Sequence, residues 1–228
     1  MLRILLILLF CGAIQLHAQF NVSIGYGLGY TPGEVNNQII SDFNKVFRDS
    51  TYLGDPMSEL HYMHGLIVGA RWKFENFSFE LNWESLGRTR EALGEDENDV
   101  VFNKRIYYTV NNYSAGLESH FGNFGLGIAA GVRSFQVKER IGNTNNKVSF
   151  LTDQQYFIKP FLSINLLGGQ YVGLSIKPYI SIPFGSLNLK NLATELSTSD
   201  NPISAPAEQE RLWIGGISFI FYNGVQSF

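Results

Sequence analysis

The chain has almost no cysteine. Cys11 is the only one among 228 residues, and it lies inside an N-terminal apolar run. A chain cleaved behind that run carries none, which removes disulfides, thiolate chemistry and cysteine-based metal sites. Long apolar runs are scarce too: beyond Ala18 nothing approaches the about 20 residues that a spanning helix needs, and mean hydropathy is near zero. Excess charge of one sign is also lacking. Against 20 Asp+Glu stand 17 Lys+Arg, or 16 without Arg3, a formal charge of −4. That balance argues against a nucleic-acid partner.

What is present begins with a leader. Arg3 precedes the apolar residues 5–10, and Leu16-His17-Ala18 offers a small residue before Gln19. This reads as a signal peptide over 1–18, followed by one domain over 19–228. Phe10 is too large for a lipobox residue before Cys11, so the leader does not read as a lipoprotein signal.

The domain opens on strict alternation. Phe20, Val22, Ile24, Tyr26, Leu28 and Tyr30 are apolar, while Asn21, Ser23, Gly25, Gly27 and Gly29 are small or polar. Period two is a strand with one apolar and one polar face. The same pattern recurs over about 62–74, 77–86, 106–121, 124–137, 156–167, 171–183 and 211–222. Two places are irregular. Residues 107–110 fit either face, which suggests a bulge near Asn111-Asn112. The last strand is apolar on both faces, and Gly216 and Ser218 favour a lumen there, leaving Trp213, Ile217, Phe219 and Phe221 outward.

The connections alternate in length. Residues 31–61, 87–105, 138–155 and 184–210 are long; 75–76, 122–123 and 168–170 are tight turns. Long outer loops and short periplasmic turns are the habit of outer-membrane barrels, where only closed barrels satisfy every backbone group of a strand-built span. The expected fold is all-β: an eight-stranded antiparallel up-and-down transmembrane β-barrel with periplasmic termini in a Gram-negative outer membrane. The chain holds 18 Phe, 11 Tyr and 3 Trp. Phe20, Phe74, Phe77, Phe121 and Phe124 fall beside the tight turns or the N-terminus, whereas Tyr30, Trp83 and Tyr156 fall near the long loops, as two aromatic girdles.

The inward face collects Arg71, Lys73, Glu80, Glu84, Glu118, Arg133, Lys159 and Lys177, with Asn82 and His120. In so narrow a barrel such charges must pair or be hydrated. The expected outcome is a salt-bridged, closed lumen; a narrow ion path and a catalytic carboxylate pair are the alternatives, and no spacing singles out an acid and a base. His61 and His64 fall on opposite strand faces, a poor metal arrangement. Residues 34–48 repeat Ile39, Ile40, Phe43, Val46 and Phe47 at helical spacing, a short helix capping the mouth with its apolar side on the rim. Glu91, Glu95, Asp96, Glu97 and Asp99 form an acidic loop without EF-hand spacing, and 201–206 reads as flexible.

These features resemble small Bacteroidota-type outer-membrane β-barrel domain proteins, the PorT-like group. The resemblance lies in Ala18 before Gln19, the opening strand, the loop-one helix and Lys177-Pro178-Tyr179-Ile180-Ser181-Ile182-Pro183. It implies no catalytic residues and no cofactor. One departure is the C-terminus: Phe228 is terminal, but Gly224 and Gln226 interrupt its alternation. The chain is expected to be a non-enzymatic monomer with a structural or surface-interaction role. Outer-membrane lipids and lipopolysaccharide, and the barrel-assembly machinery during insertion, are its expected partners. A small-solute channel or secretion-assembly component is the alternative, and an outer-membrane lipid enzyme the second. Against the last, no His-x-Ser matches the Ser, His and acid set of lipid A deacylases.

Overall fold

A computed structural model describes residues 19–50, 53–95, 101–140, 146–166, 172–197 and 209–223. The leader, the acids Asp96, Glu97 and Asp99, the expected turn at 168–170, the segment 201–206 and the C-terminal residues 224–228 lie outside these.

The strands are β1 (Gln19–Tyr30), β2 (Leu53–Asp55), β3 (Tyr62–Lys73), β4 (Phe77–Glu95), β5 (Val101–Phe121), β6 (Phe124–Arg140), β7 (Lys147–Leu166), β8 (Val172–Phe184), β9 (Leu187–Asn188), β10 (Gln209–Glu210) and β11 (Ile214–Asn223). The helices are α1 (Glu34–Ser50) and α2 (Lys190–Leu196). Eight strands pair antiparallel with their sequence neighbours, and β11 returns to β1 with Tyr26 opposite Phe219. The sheet therefore closes on itself as an up-and-down barrel and has no free edge in its wall. The short β2 adds to the far end of β4, and β9 pairs with β10 outside the barrel.

The alternation has the facing read from the sequence. In β1, Asn21 and Ser23 are buried, while Phe20, Val22, Ile24, Tyr26, Leu28 and Tyr30 are exposed. The same holds for Leu117 against Glu118 in β5, Leu126 and Ile128 against Ala129 in β6, and Phe221 against Tyr222 in β11. An unbroken outward apolar band on a closed sheet is the inverse of a soluble barrel. The turn Gly122-Asn123 is tight because Gly122 takes φ +62, where a side chain would be strained.

Three expectations fail. No bulge occurs at Asn111-Asn112: β5 keeps one register with β4 and β6 through Asn111 and Asn112. The register shift lies instead between β6 and β7, where Val137 faces Leu151 but Lys138 faces Ser149, leaving Phe150 as the extra residue. Second, most of 87–105 and 138–155 is strand, not loop. The four strands β4 to β7 run 19, 21, 17 and 20 residues, against 12, 12, 13 and 10 for β1, β3, β8 and β11. From Trp83 to Glu95, β4 adds roughly 40 Å of strand. Trp83 consequently lies mid-strand, not beside a loop. Third, the apolar side of α1 does not rest on a rim. It faces inward into a hydrophobic core.

That core explains the ambiguity of 107–110. Above the barrel the inward side chains change from charged to apolar: Leu86, Ile106, Tyr108, Val110, Phe135, Val137 and Leu151 are buried with Ile39, Ile40 and Phe43 of α1 and Leu192 and Leu196 of α2. The tall half-wall thus carries a sheet whose concave face is covered by two helices. Burial of apolar area drives this arrangement, as in any two-layer domain.

Candidate functional site

The lumen below this cap is where the charged residues converge. β4 delivers Glu80 and Glu84, β5 Glu118, β3 Arg71 and Lys73, β6 Arg133, β7 Lys159 and β8 Lys177, all on the inward parity of their strands. Lys177 Nζ sits 2.7 Å from both Glu80 Oε1 and Glu118 Oε2. Tyr222 donates its hydroxyl to Glu80 Oε1 at 2.9 Å, and Ser163 donates to Glu118. The Arg71 guanidinium lies 3.6 Å over the Tyr222 ring and donates to Asn21 Oδ1 at 3.4 Å. A Cβ at Gly125 would collide with Glu118 Oε1 and Ser163 Oγ, so glycine leaves the room this cluster needs.

A second cluster lies nearer the cap. Asn112 donates to Glu84 Oε2 at 2.8 Å, and Lys159 Nζ lies 3.6 Å from the same oxygen. Arg133 donates to Asn112 Oδ1 at 3.0 Å, to Ser181 Oγ at 2.5 Å and to the Leu212 carbonyl. Its guanidinium has 0% exposure, as does that of Arg71. Lys73 is buried at the turn end of the lumen. Charges held this way are compensated by partners on several strands, so the network ties the wall across the barrel as well as along it.

The sequence reading missed the neutral partners. Asn21, Asn112, Ser163, Ser181, Tyr179 and Tyr222 all have inward parity, which was the available signal. Tyr222 and Tyr179 were hidden because aromatics were assigned to the outward face.

Ser78, His120 and Glu118 lie in the order of a nucleophile, base and acid. His120 Nε2 is 3.1 Å from Ser78 Oγ, and its Nδ1 is 3.5 Å from Glu118 Oε1. Ser78 has 0% exposure and Glu118 is held by Lys177 and Ser163. An attacking hydroxyl needs space for a substrate within about 3.5 Å, and Ser78 is fully buried. His61 bonds Glu59 at 2.9 Å, and His64 contacts the Tyr26 hydroxyl. Among the described residues no cluster of three or more His, Cys, Asp or Glu side chains is arranged to hold a metal.

Of the expected girdle residues, all but Trp83 and Tyr156 lie at strand ends. At the turn end Phe20 packs on Trp72, Trp72 on Phe79, and Phe74 stacks on Phe77 at 4.4 Å. Phe121 pairs directly with Phe124. At the cap end Tyr30 packs against Tyr62 and His61; Tyr156, paired with Phe184, lies mid-strand because β7 extends through the expected loop, as with Trp83.

The cap holds a carboxyl whose titration is displaced. Glu210 is buried, and its Oε2 accepts from the Asn36 backbone N–H at 3.0 Å, in the first turn of α1. Burial pushes its carboxyl up to about 7, and the helix amides only partly oppose this. An unfolded glutamate ionises near 4.3, so between that value and about 7 the folded cap holds the extra proton. Cap stability is therefore greatest below the lower value and declines as pH rises through about 7. Hydrogen exchange of the α1 amides, corrected for intrinsic rates, should be faster at pH 8 than at pH 5.5. Glu210→Gln should flatten that difference; an unchanged pH dependence would remove Glu210 as its source.

No family model matches the sequence, nor does any curated protein. Among solved structures the chain is similar to Neisserial surface protein A (NspA), with TM-score 0.42 and 9% identity over 91% of this chain and 98% of that one. It is also similar to the outer membrane protease OmpT from Escherichia coli, with TM-score 0.31 and 9% identity over 90% of this chain and 95% of that one. The strand pairing itself, not this likeness, defines the barrel.

Proposed function

We propose that the protein is an integral outer-membrane barrel of the small Bacteroidota type, non-enzymatic and monomeric, with a closed lumen and a structural or surface-interaction role. The outward apolar band and its aromatic ends support the membrane setting. Two tight described connections, 74–76 and 122–123, lie at the end of the barrel where β1 begins and β11 ends, which supports periplasmic termini and an outer cap. A thiol placed at Glu95 should then react with an impermeant reagent in intact cells, and one at Asn123 should not; the reverse pattern would invert the orientation.

The observation that carries the closed reading is Lys177 held 2.7 Å from two carboxylates on two other strands. Such a cross-brace favours a closed lumen, and the apolar core above it supports a second seal. The purified protein in planar bilayers should show no steady conductance. Reproducible single-channel steps whose ion selectivity changes in Glu118→Ala would establish the channel alternative.

A further inference from the structure

The outer side of the tall half-wall carries a feature that the closed-barrel role does not use. A depression of about 520 Å³ is lined by His64, Arg88, Thr89, Tyr107, Lys138 and Lys147. Tyr107 shares the outward parity of Tyr113, six residues along β5 toward the turn end. The bulge at Phe150 is what brings Lys147 here. Without the extra residue Lys147 would face the core; with it, Lys147 and Ser149 share the outer face with Lys138. Lys147 Nζ lies 3.8 Å over the Tyr107 ring.

The nearby carboxylates are already engaged. Glu91 Oε1 bonds Arg105 at 2.5 Å, which holds its carboxyl below the usual range. Glu139 Oε1 lies 2.7 Å from Lys104. Among the described residues no salt bridge takes up Lys138 or Lys147. Below this cationic shelf, on the same outward face, run the exposed Tyr113 and Leu117 of β5, Ile128 of β6 and Tyr156 and Leu162 of β7. Two lysines above and an apolar wall below match a molecule that is itself split into an anionic head and acyl chains.

We infer that this depression binds the phosphorylated headgroup of an outer-leaflet glycolipid. Lys138 and Lys147 take the phosphate oxygens, the Thr89 hydroxyl donates beside them, and the acyl chains lie on the outward side chains beneath. The inference rests on the membrane reading above, with the cap outside. Free phosphate shares the head chemistry but has no use for the apolar wall.

The test uses the full mature protein in an uncharged maltoside, with native mass spectrometry as the readout. The probes are bisphosphorylated lipid A, the same lipid stripped of phosphate, and inorganic phosphate. The phosphorylated lipid should bind at least tenfold tighter than the stripped form. Lys138→Gln with Lys147→Gln should remove that preference while the heat-modifiable band persists, and Lys147→Gln alone should reduce it if the pair does not fold. Equal binding of both lipids, or an unchanged preference in the variants, overturns the site. Displacement of the lipid by millimolar inorganic phosphate overturns the lipid assignment in favour of a free-anion site. Failure to insert into phosphatidylcholine vesicles would instead overturn the membrane reading, independently of any phosphate preference.

Discussion

Lys177→Met should destabilise the protein by about 3–5 kcal/mol, because the substitution strands two buried carboxylates without their shared cation. Glu80 and Glu118 each lie 2.7 Å from Nζ and are almost fully buried. Once the ammonium is gone, Tyr222 and Ser163 still donate to them, but neither hydroxyl cancels a charge. The triple variant Lys177→Met, Glu80→Gln, Glu118→Gln should recover most of the loss, since replacing a whole buried ionic cluster by neutral groups is often close to neutral. Denaturant unfolding from lipid vesicles measures both. A Lys177→Met protein as stable as wild type would mean that water fills the lumen and screens these charges.

Leu81→Arg should cost about 2–4 kcal/mol in a bilayer. Leu81 is exposed on the outward face of β4, between Phe79 and Trp83 and opposite Ala70 and Ala115. Leu174→Arg should cost less. It lies one outward position from the start of β8 and faces Phe221 near the turn end, so an arginine there reaches the interface by extending its stem. Equal stability of both variants without detergent would show that the outward band faces water.

The lower barrel was legible because each strand there obeys one rule. One parity is small or charged, the other apolar, and even the last strand was sorted by Gly216 and Ser218. The upper half was not legible because the rule changes partway along the same strands. Ile106, Tyr108 and Val110 point inward as truly as Glu118 does, but into an apolar core. An alternation that turns apolar on both sides reads as a loop or a slipped register. Helix α2 was passed over inside a supposed loop, although Leu189, Leu192 and Leu196 carried helical spacing. The candidate site was readable as a list of charges, since parity fixes facing. Which charge meets which depends on stagger around the barrel, and that is absent from any single strand.

The pairing of β1 with β11 also constrains the order of assembly. The core of the cap draws on α1 near the start of the chain and on Leu212 and Ile214 near its end. Ile214 is the first residue of the strand that seals the seam. Hairpins β4–β5 and β6–β7 join neighbours and form at low entropic cost. The helices cannot finish their packing until the last strand has docked on the first across about two hundred residues, as in the Asn21 to Asn223 contact. Closing the seam and folding the cap are thus coupled late steps, and a barrel left ajar would present its helices with an unfinished floor.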